Sequence, residues 1–446
     1  MSTAFWQPGQ NVSSDIQENS QDDALYRQEF LETIRSSIAA LDGDLSALSQ
    51  DIHDHPETKF EEHHAHDVLT AFMEKQGFDV SRHYLLETAW VAKYTRGSGG
   101  CTLGVNSEMD ALPGIGHACG HNLIAIAGVA VACAVKAALD KHDIAGSVVL
   151  LGTPGEEGGA GKAILLERGA YEGLDACLMC HPAPGPPYSA SLSGCLARQR
   201  IDVEFTGHTA HAALSPWEGQ NALDAAVLAY TNISVLRQQL KPTHRVHGIF
   251  EGKDWTPNII PDYSKMIWYV RAPTRTEVDI AVKRISACFE GAALATGCQV
   301  KVELGNSTYE LRQNKALSDE FADVFSKTVG PVDYEYGISH ASTDFGNVTY
   351  ALPALHPSFA IPTSGGNHTI AFTEAAASKD AHVACLKTSQ ILAAVGIRLL
   401  TDEHFFKKVC GVPWKSRILQ RRSMIHVRYA IHLTRMFGHG SANARI

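Results

Sequence analysis

The chain has 446 residues, 45% of them hydrophobic and 19% charged. At roughly 100–200 residues per domain this allows two or three domains with sizeable cores. The composition excludes a mainly disordered chain, a collagen-like repeat and a small disulfide scaffold. Net charge is −10, a poor basis for nucleic-acid binding, which calls for a basic face.

The charge is uneven. Thr401–Ile446 carries nine Lys/Arg against two Asp/Glu, a balance of +7, which leaves −17 for the remainder. Residues 1–24 are polar and lack the basic and apolar regions of a secretory signal. Together with ten irregularly spaced cysteines, this predicts a reducing compartment, the cytoplasm, and thiols that are mostly free and buried.

Helical patterns run over 25–54 and 61–76, the second ended by Gly77. Short apolar runs at Thr102–Asn106, Val148–Gly152 and Ala176–Cys180 read as strands, with helices at Leu123–Leu139 and Gly161–Gly169 between them. Leu123–Val135 is too short for a membrane span of about 20 residues, so a buried helix is expected and membrane association is not. Strands alternating with helices predict an α/β sheet covered on both faces.

The pattern changes near Gly194. Leu196–Phe205 reads as a strand, Asn221–Leu240 as a helix, and Val246–Glu251 and Ser264–Ala272 as strands. Thr274–Thr296 then reads as a helix and Cys298–Leu304 as a strand. This β-α-β-β-α-β order is that of a ferredoxin-like module. From about Leu317 the earlier pattern returns. The expected architecture is a discontinuous α/β domain, 25–196 and 311–400, with an inserted α+β domain, 197–310, which the resemblance given below makes a catalytic domain and its lid. A basic extension, 401–446, follows. Within it Trp414–Phe437 allows a helix with Ile418, Ile425, Tyr429, Leu433 and Met436 loosely on one side. Such a helix suits a membrane surface or a partner; an extension with neither role fits the same residues.

Four motifs carry chemistry. The first is Glu108-Met109-Asp110-Ala111-Leu112-Pro113 followed by His117-Ala118-Cys119-Gly120-His121-Asn122. A thiolate and an imidazole this close on a loop suit a divalent metal; a buried cysteine beside surface histidines fits the spacing too. The second is the turn Gly155-Glu156-Glu157-Gly158 after an apolar strand. Adjacent carboxylates at a strand's carboxyl end can divide metal binding from proton transfer, although a solvated acidic turn has the same sequence. The third is Cys177-Leu178-Met179-Cys180-His181. His181 suits a metal, and the same pattern is the attachment motif of c-type haem. Haem fits poorly here, because the motif reads as a strand end. The fourth is Gly365-Gly366-Asn367-His368, where tight backbone turns place His368. Together Cys119, His121, Glu157, His181 and His368 supply enough ligands for two ions, with Asp110 as a bridge or orienting acceptor.

With the stretches MDALPG, HACGHN, GTPGEEGGAGK, CHPAPG, GHTAHAA, PNIIPD, ASTDFGNV and GGNHT, and Asp51–Glu57 with Phe60-Glu61-Glu62, the chain resembles a metallo-hydrolase family. That family includes aminoacylase, glutamate carboxypeptidase, hippuricase and the indole-acetyl-amino-acid hydrolases. It is most similar to the amidohydrolase branch and its aminoacylase-like, dipeptidase-like subgroup, over about residues 25–400.

The resemblance implies two divalent ions, Mn²⁺ or Zn²⁺, held by Cys119, His121, Glu157, His181 and His368. It implies Glu156 as general base and His211 as a lid residue that polarises the scissile carbonyl, in relatives often across a homodimer interface. Asn258 and Arg271 would bind substrate, Arg271 by forking onto a carboxylate. Without the family, His211 reads as a surface residue, Asn258 as a turn residue and Arg271 as a solvated charge. The expected substrate is a small N-acyl amino acid or dipeptide with a free carboxylate, cleaved at its amide bond. A relative without catalysis, acting as a binding module, is the competing reading. The chain departs from many relatives at Asn122, where they carry Asp, and at Glu108, where other branches place a metal-binding His.

Overall fold

A segment apolar on every side must be surrounded, and the run after His121 is the example around which the molecule is built. In the computed structural model, which describes residues 25–252, 254–337 and 340–413, that helix is buried along almost its whole length. The segment Trp414–Phe437 lies outside the described residues.

In chain order the first part comprises α1 (Gln28–Asp54), α2 (His63–Lys75), β1 (Asp79–Ser81), β2 (Trp90–Arg96), β3 (Cys101–Glu108) and α3 (His121–Lys141). There follow β4 (Gly146–Thr153), α4 (Glu156–Gly159), α5 (Gly161–Glu167), β5 (Ala176–Leu178), β6 (His181–Pro184) and β7 (Ala190–Ser191). The middle comprises β8 (Ala197–Thr206), α6 (Ala222–Leu236), β9 (Arg245–Glu251), β10 (Tyr263–Ala272), α7 (Arg275–Thr296) and β11 (Gln299–Thr308). The last part comprises α8 (Lys315–Thr328), β12 (Val332–Asp333), α9 (Phe345–Ala351), β13 (Ala354–Leu355), β14 (Ser358–Ile361), α10 (Ile370–Ala376), α11 (Lys379–Thr401) and α12 (Glu403–Cys410).

The main sheet has six strands in the order β1-β2-β4-β3-β5-β13. Strands β4, β3, β5 and β13 run parallel, and β1 and β2 form an antiparallel edge. Helices α1, α3 and α11 pack together, and their apolar faces join the sheet's Leu103, Val105, Val148 and Leu150 in one core. The residues of β3 and β4 are buried on both sides, as in a covered parallel sheet. A second, four-stranded sheet, β12-β7-β14-β6, receives the chain beyond β5.

The middle segment forms its own four-stranded antiparallel sheet, β11-β8-β10-β9, covered on one face by α6 and α7. Its order is that of the ferredoxin-like unit. Phe205, Trp268, Ile285 and Phe289 belong to a core separate from that of the main sheet. Its helices start where the sequence supplies caps. Asn221 accepts from the N–H groups of Leu223 and Asp224, and Thr274 from that of Glu277.

Three details differ from the sequence reading. Ala176–Cys180 is not one strand: it breaks after Leu178, and His181 opens a strand of another sheet. The last lid strand extends to Thr308 rather than Leu304. Residues 403–410 belong with the body, since Phe405, Phe406 and Val409 are buried in its core.

His66, on α2, is buried. Its Nδ1 lies 3.0 Å from Asp67 and its Nε2 accepts from the His83 N–H at 3.3 Å. Burial pushes its pKa below the ordinary value, and the Asp67 bond opposes that. An imidazole kept neutral in the fold but free to protonate once unfolded lowers stability as pH falls below about 6.5. Denaturant unfolding between pH 7 and 5 is expected to show a shallower loss for His66→Gln than for the wild type. Parallel curves would remove His66 from the acid response.

Candidate active site

The candidate residues meet at the carboxyl ends of β3, β4 and β5, where open parallel sheets gather their ligands. Strand β3 delivers Glu108 and, two residues on, Asp110; both are fully buried. The turn into α3 delivers Cys119 and His121. It depends on Gly120, at φ 77°, where an added Cβ would fall 2.6 Å from the Pro182 ring. The end of β4 delivers Glu156 and Glu157 through a turn entered at Gly155, φ 67°, which lies against the Phe60 ring. Glu62 holds that turn: one oxygen accepts from the Gly155 N–H (2.8 Å) and the other from the Thr88 hydroxyl (2.7 Å). Burial, then the neighbouring Asp110, pushes Glu62 up to about 7.

The five expected ligands converge. Cys119, His121 and His181 bring one donor atom each within 4.8 Å of one another, as do Cys119, Glu157 and His368. Cys119 Sγ is 3.4 Å from His181 Nε2, and His368 Nε2 is 3.0 Å from Glu157 Oε1. His121 Nε2 and Glu157 Oε1 are both buried, and His121 Nε2 lies 3.4 Å from a Glu108 oxygen. Two imidazoles are turned by their other nitrogen: His121 Nδ1 faces Asp110 at 3.2 Å, and His181 Nδ1 faces the Pro182 carbonyl at 2.8 Å. Each therefore presents Nε2 to the same space. Donor atoms gathered this closely, with thiol, imidazole and carboxylate types mixed, fit a pair of borderline divalent ions.

Asp110 links two of the expected ligands. One oxygen faces His121 and the other accepts from the Glu157 N–H at 2.8 Å. The Asp110 carboxyl lies below the ordinary range: burial raises it, but the His121 bond and charge outweigh that. Glu156 goes the other way. Burial, then Glu108, Glu157 and Asp344, hold its pKa well above the ordinary value, with Lys162 opposing.

Sequence reasoning missed Lys162. Its ammonium is fully buried, 2.5 Å from Glu108 and 2.8 Å from Asp344, whose second oxygen accepts from the Lys162 N–H at 2.7 Å. Both partners stood in the motifs of the sequence, but a lysine after a glycine-rich turn reads as solvated. Glu108 thus serves the buried lysine. Asn122, the other departure, donates to Ser49 and to the Ala376 carbonyl, tying α3 to its neighbours outside the metal cluster.

A cleft of about 290 Å³ opens between the body and the lid. Its lining includes Glu156, Glu157, His181 and His368 together with Arg198, Arg271, Thr308 and Ser342. Arg271 donates to Ser342 Oγ at 2.8 Å. His211 and Asn258 are not brought to this cleft within one chain. They share a lid turn, where the Asn258 carbonyl accepts from the Ala212 N–H (3.0 Å) and His211 Nδ1 from those of Ala213 and Leu214 (3.2 and 3.1 Å). Exposed Leu214, Trp217 and Ile259 surround them. The haem pattern is set aside: Cys177 and Cys180 are 0% and 1% exposed and pack in different cores, so neither thiol meets a cofactor-sized space.

Comparisons with known proteins identify the family. The model of peptidase family M20/M25/M40 matches residues 104–393. The Xaa-Arg dipeptidase of Mus musculus is 43% identical over 373 residues, covering 80% of this chain and 85% of that protein. A p-aminobenzoyl-glutamate hydrolase polypeptide of Escherichia coli is 29% identical, covering 84% and 93%. Among solved structures, a dinuclear metal-binding peptidase from Bacillus subtilis superposes with TM-score 0.63 at 20% identity, covering 81% and 99%, a likeness of fold. The chain belongs to peptidase family M20/M25/M40 and is a metal-dependent hydrolase of amide bonds.

Proposed function

We propose that the chain is a dipeptidase or N-acyl-amino-acid hydrolase that uses two divalent ions, Mn²⁺ or Zn²⁺, and releases an amino acid with a free carboxylate. The observation that carries this reading is the convergence of five candidate metal ligands near Glu156, in a cleft that the Arg271 guanidinium also lines. The activities for which the similar mouse and Escherichia coli proteins are named support it.

Cys119, His121, Glu157, His181 and His368 would hold the ions, which when bound polarise the scissile carbonyl and acidify water. Glu156 accepts the proton of the attacking water and passes it to the leaving amine nitrogen. Asp110 keeps His121 and Glu157 aimed. Arg271 anchors the substrate carboxylate by charge-assisted hydrogen bonds. The lid excludes bulk water, which strengthens each of these interactions.

His211 lies outside the cleft amid exposed Leu214, Trp217 and Ile259. A homodimer through the lid would cover that apolar surface and carry His211 to a second copy's cleft, where Asn258 would join it. The ten cysteines, most of them buried, suit a reducing compartment, the cytoplasm.

Chelator-treated protein is expected to lose hydrolysis of alanyl dipeptides and to regain it on adding Mn²⁺ or Zn²⁺, with about two ions per chain by elemental mass spectrometry. Undiminished hydrolysis after metal removal would overturn the reading.

A further inference from the structure

Strands β11, β8, β10 and β9 place four residues in one row across the lid sheet: Thr308, Arg198, Arg271 and Arg245 are successive cross-strand partners. Directly opposed residues project to the same face, and like charges there repel. Arg245 sits at the exposed edge and spends its guanidinium on the Pro242 and His244 carbonyls. Arg198 and Arg271 face the cleft instead. Tyr269 supports both, with guanidinium carbons 4.8 and 5.9 Å from its ring centre.

Among the described residues neither arginine has a carboxylate partner, and Arg271 hydrogen-bonds there to Ser342 and, at 3.4 Å, to His247 Nε2. Arg198 is 7% exposed, and its Nε has no hydrogen bond among the described residues. Thr308, next in the row, is 2% exposed, and its hydroxyl is likewise unpartnered. A buried unpaired cation beside a second cation is costly unless an anion arrives. The only carboxylates among the described residues lining the cleft are Glu156 and Glu157, and the mechanism uses both.

We propose that Arg198, assisted by Thr308, forms a second anion subsite beside Arg271, so that the preferred leaving amino acid is dicarboxylic, aspartate or glutamate. Arg271 takes the α-carboxylate and Arg198 the side-chain carboxylate. A C-terminal basic residue would instead add a third cation to an unneutralised pair. The assignment rests on the hydrolase reading above and departs from the specificity for which the Xaa-Arg relatives are named.

The full-length chain, loaded with Mn²⁺, is assayed on Ala-Glu, Ala-Gln and Ala-Arg. The expected kcat/KM for Ala-Glu exceeds that for Ala-Gln by about 10- to 100-fold, the worth of a charge-assisted hydrogen bond. In Arg198→Gln that ratio falls toward one, and in Arg198→Glu the order shifts toward Ala-Arg. A wild-type preference for Ala-Arg, or a Glu/Gln ratio indifferent to Arg198→Gln, overturns the subsite. Failure of all three peptides overturns the dipeptidase reading instead. In that case calorimetric titration of the same protein with L-glutamate and L-glutamine decides the subsite. Tighter glutamate binding, lost in Arg198→Gln, supports it, and equal binding overturns it.

Discussion

Replacing Glu156 by Gln is expected to lower kcat by at least roughly 10²–10⁴-fold, the usual worth of a positioned general base, with metal content unchanged. The amide is close in shape to the carboxylate but cannot accept a proton. The neighbouring side chain provides the internal contrast. Glu157 approaches His368 at 3.0 Å and shares the Cys119 cluster, so Glu157→Gln is expected to lose metal and turnover together. Single-turnover kinetics and elemental analysis on the two variants separate the roles. Retained turnover in Glu156→Gln would remove it as the base. Loss of metal in that variant would make it a ligand, a role its proximity to His121 and Glu157 allows.

The second large effect is on stability. Lys162→Met leaves Glu108 and Asp344 facing each other in the interior without the ammonium that now lies 2.5 and 2.8 Å from them. Breaking a buried ionic cluster by removing one partner costs about 3–5 kcal/mol. Urea denaturation of the wild type, Lys162→Met and the variant that adds Asp344→Asn tests this. The single variant should unfold at clearly lower urea, and the second substitution should restore part of the loss by removing one stranded charge. Equal midpoints for all three would mean that the lysine neutralises nothing the fold depends on.

Much of this organisation was readable from residue patterns, for reasons that particular elements make plain. The middle sheet was legible because most of its strands are long and alternate, and its two helices open on the capping residues Asn221 and Thr274. The helix after His121 was legible because apolar residues on all its faces have no soluble alternative. The sheet formed by β12, β7, β14 and β6 was not, since strands of two to four residues are too short to display a period. The break after Leu178 was hidden by an unbroken apolar run, because Met179 and Cys180 remain buried while the chain passes between sheets. The metal-ligand types stood out as a set, because cysteine, histidine and glutamate at strand ends share one chemistry. Lys162 and Arg198 did not. Each reads as an ordinary surface cation in its local sequence, and its burial depends on segments far away in the chain, Asp344 in one case and Arg271 and Thr308 in the other.

The row of Thr308, Arg198 and Arg271 has a mechanical consequence. Strand β8 enters the lid at Ala197 and β11 leaves it at Thr308, so both crossings between the two units lie side by side at one end of the lid sheet. Any rotation of the lid pivots there. The arginines sit at the fulcrum and keep their position relative to the body, whereas His211 lies beyond the opposite end of a ten-residue strand, about 30 Å away at 3.3 Å per residue. A few degrees of turning about that end leave Arg198 and Arg271 nearly still and carry His211 much farther.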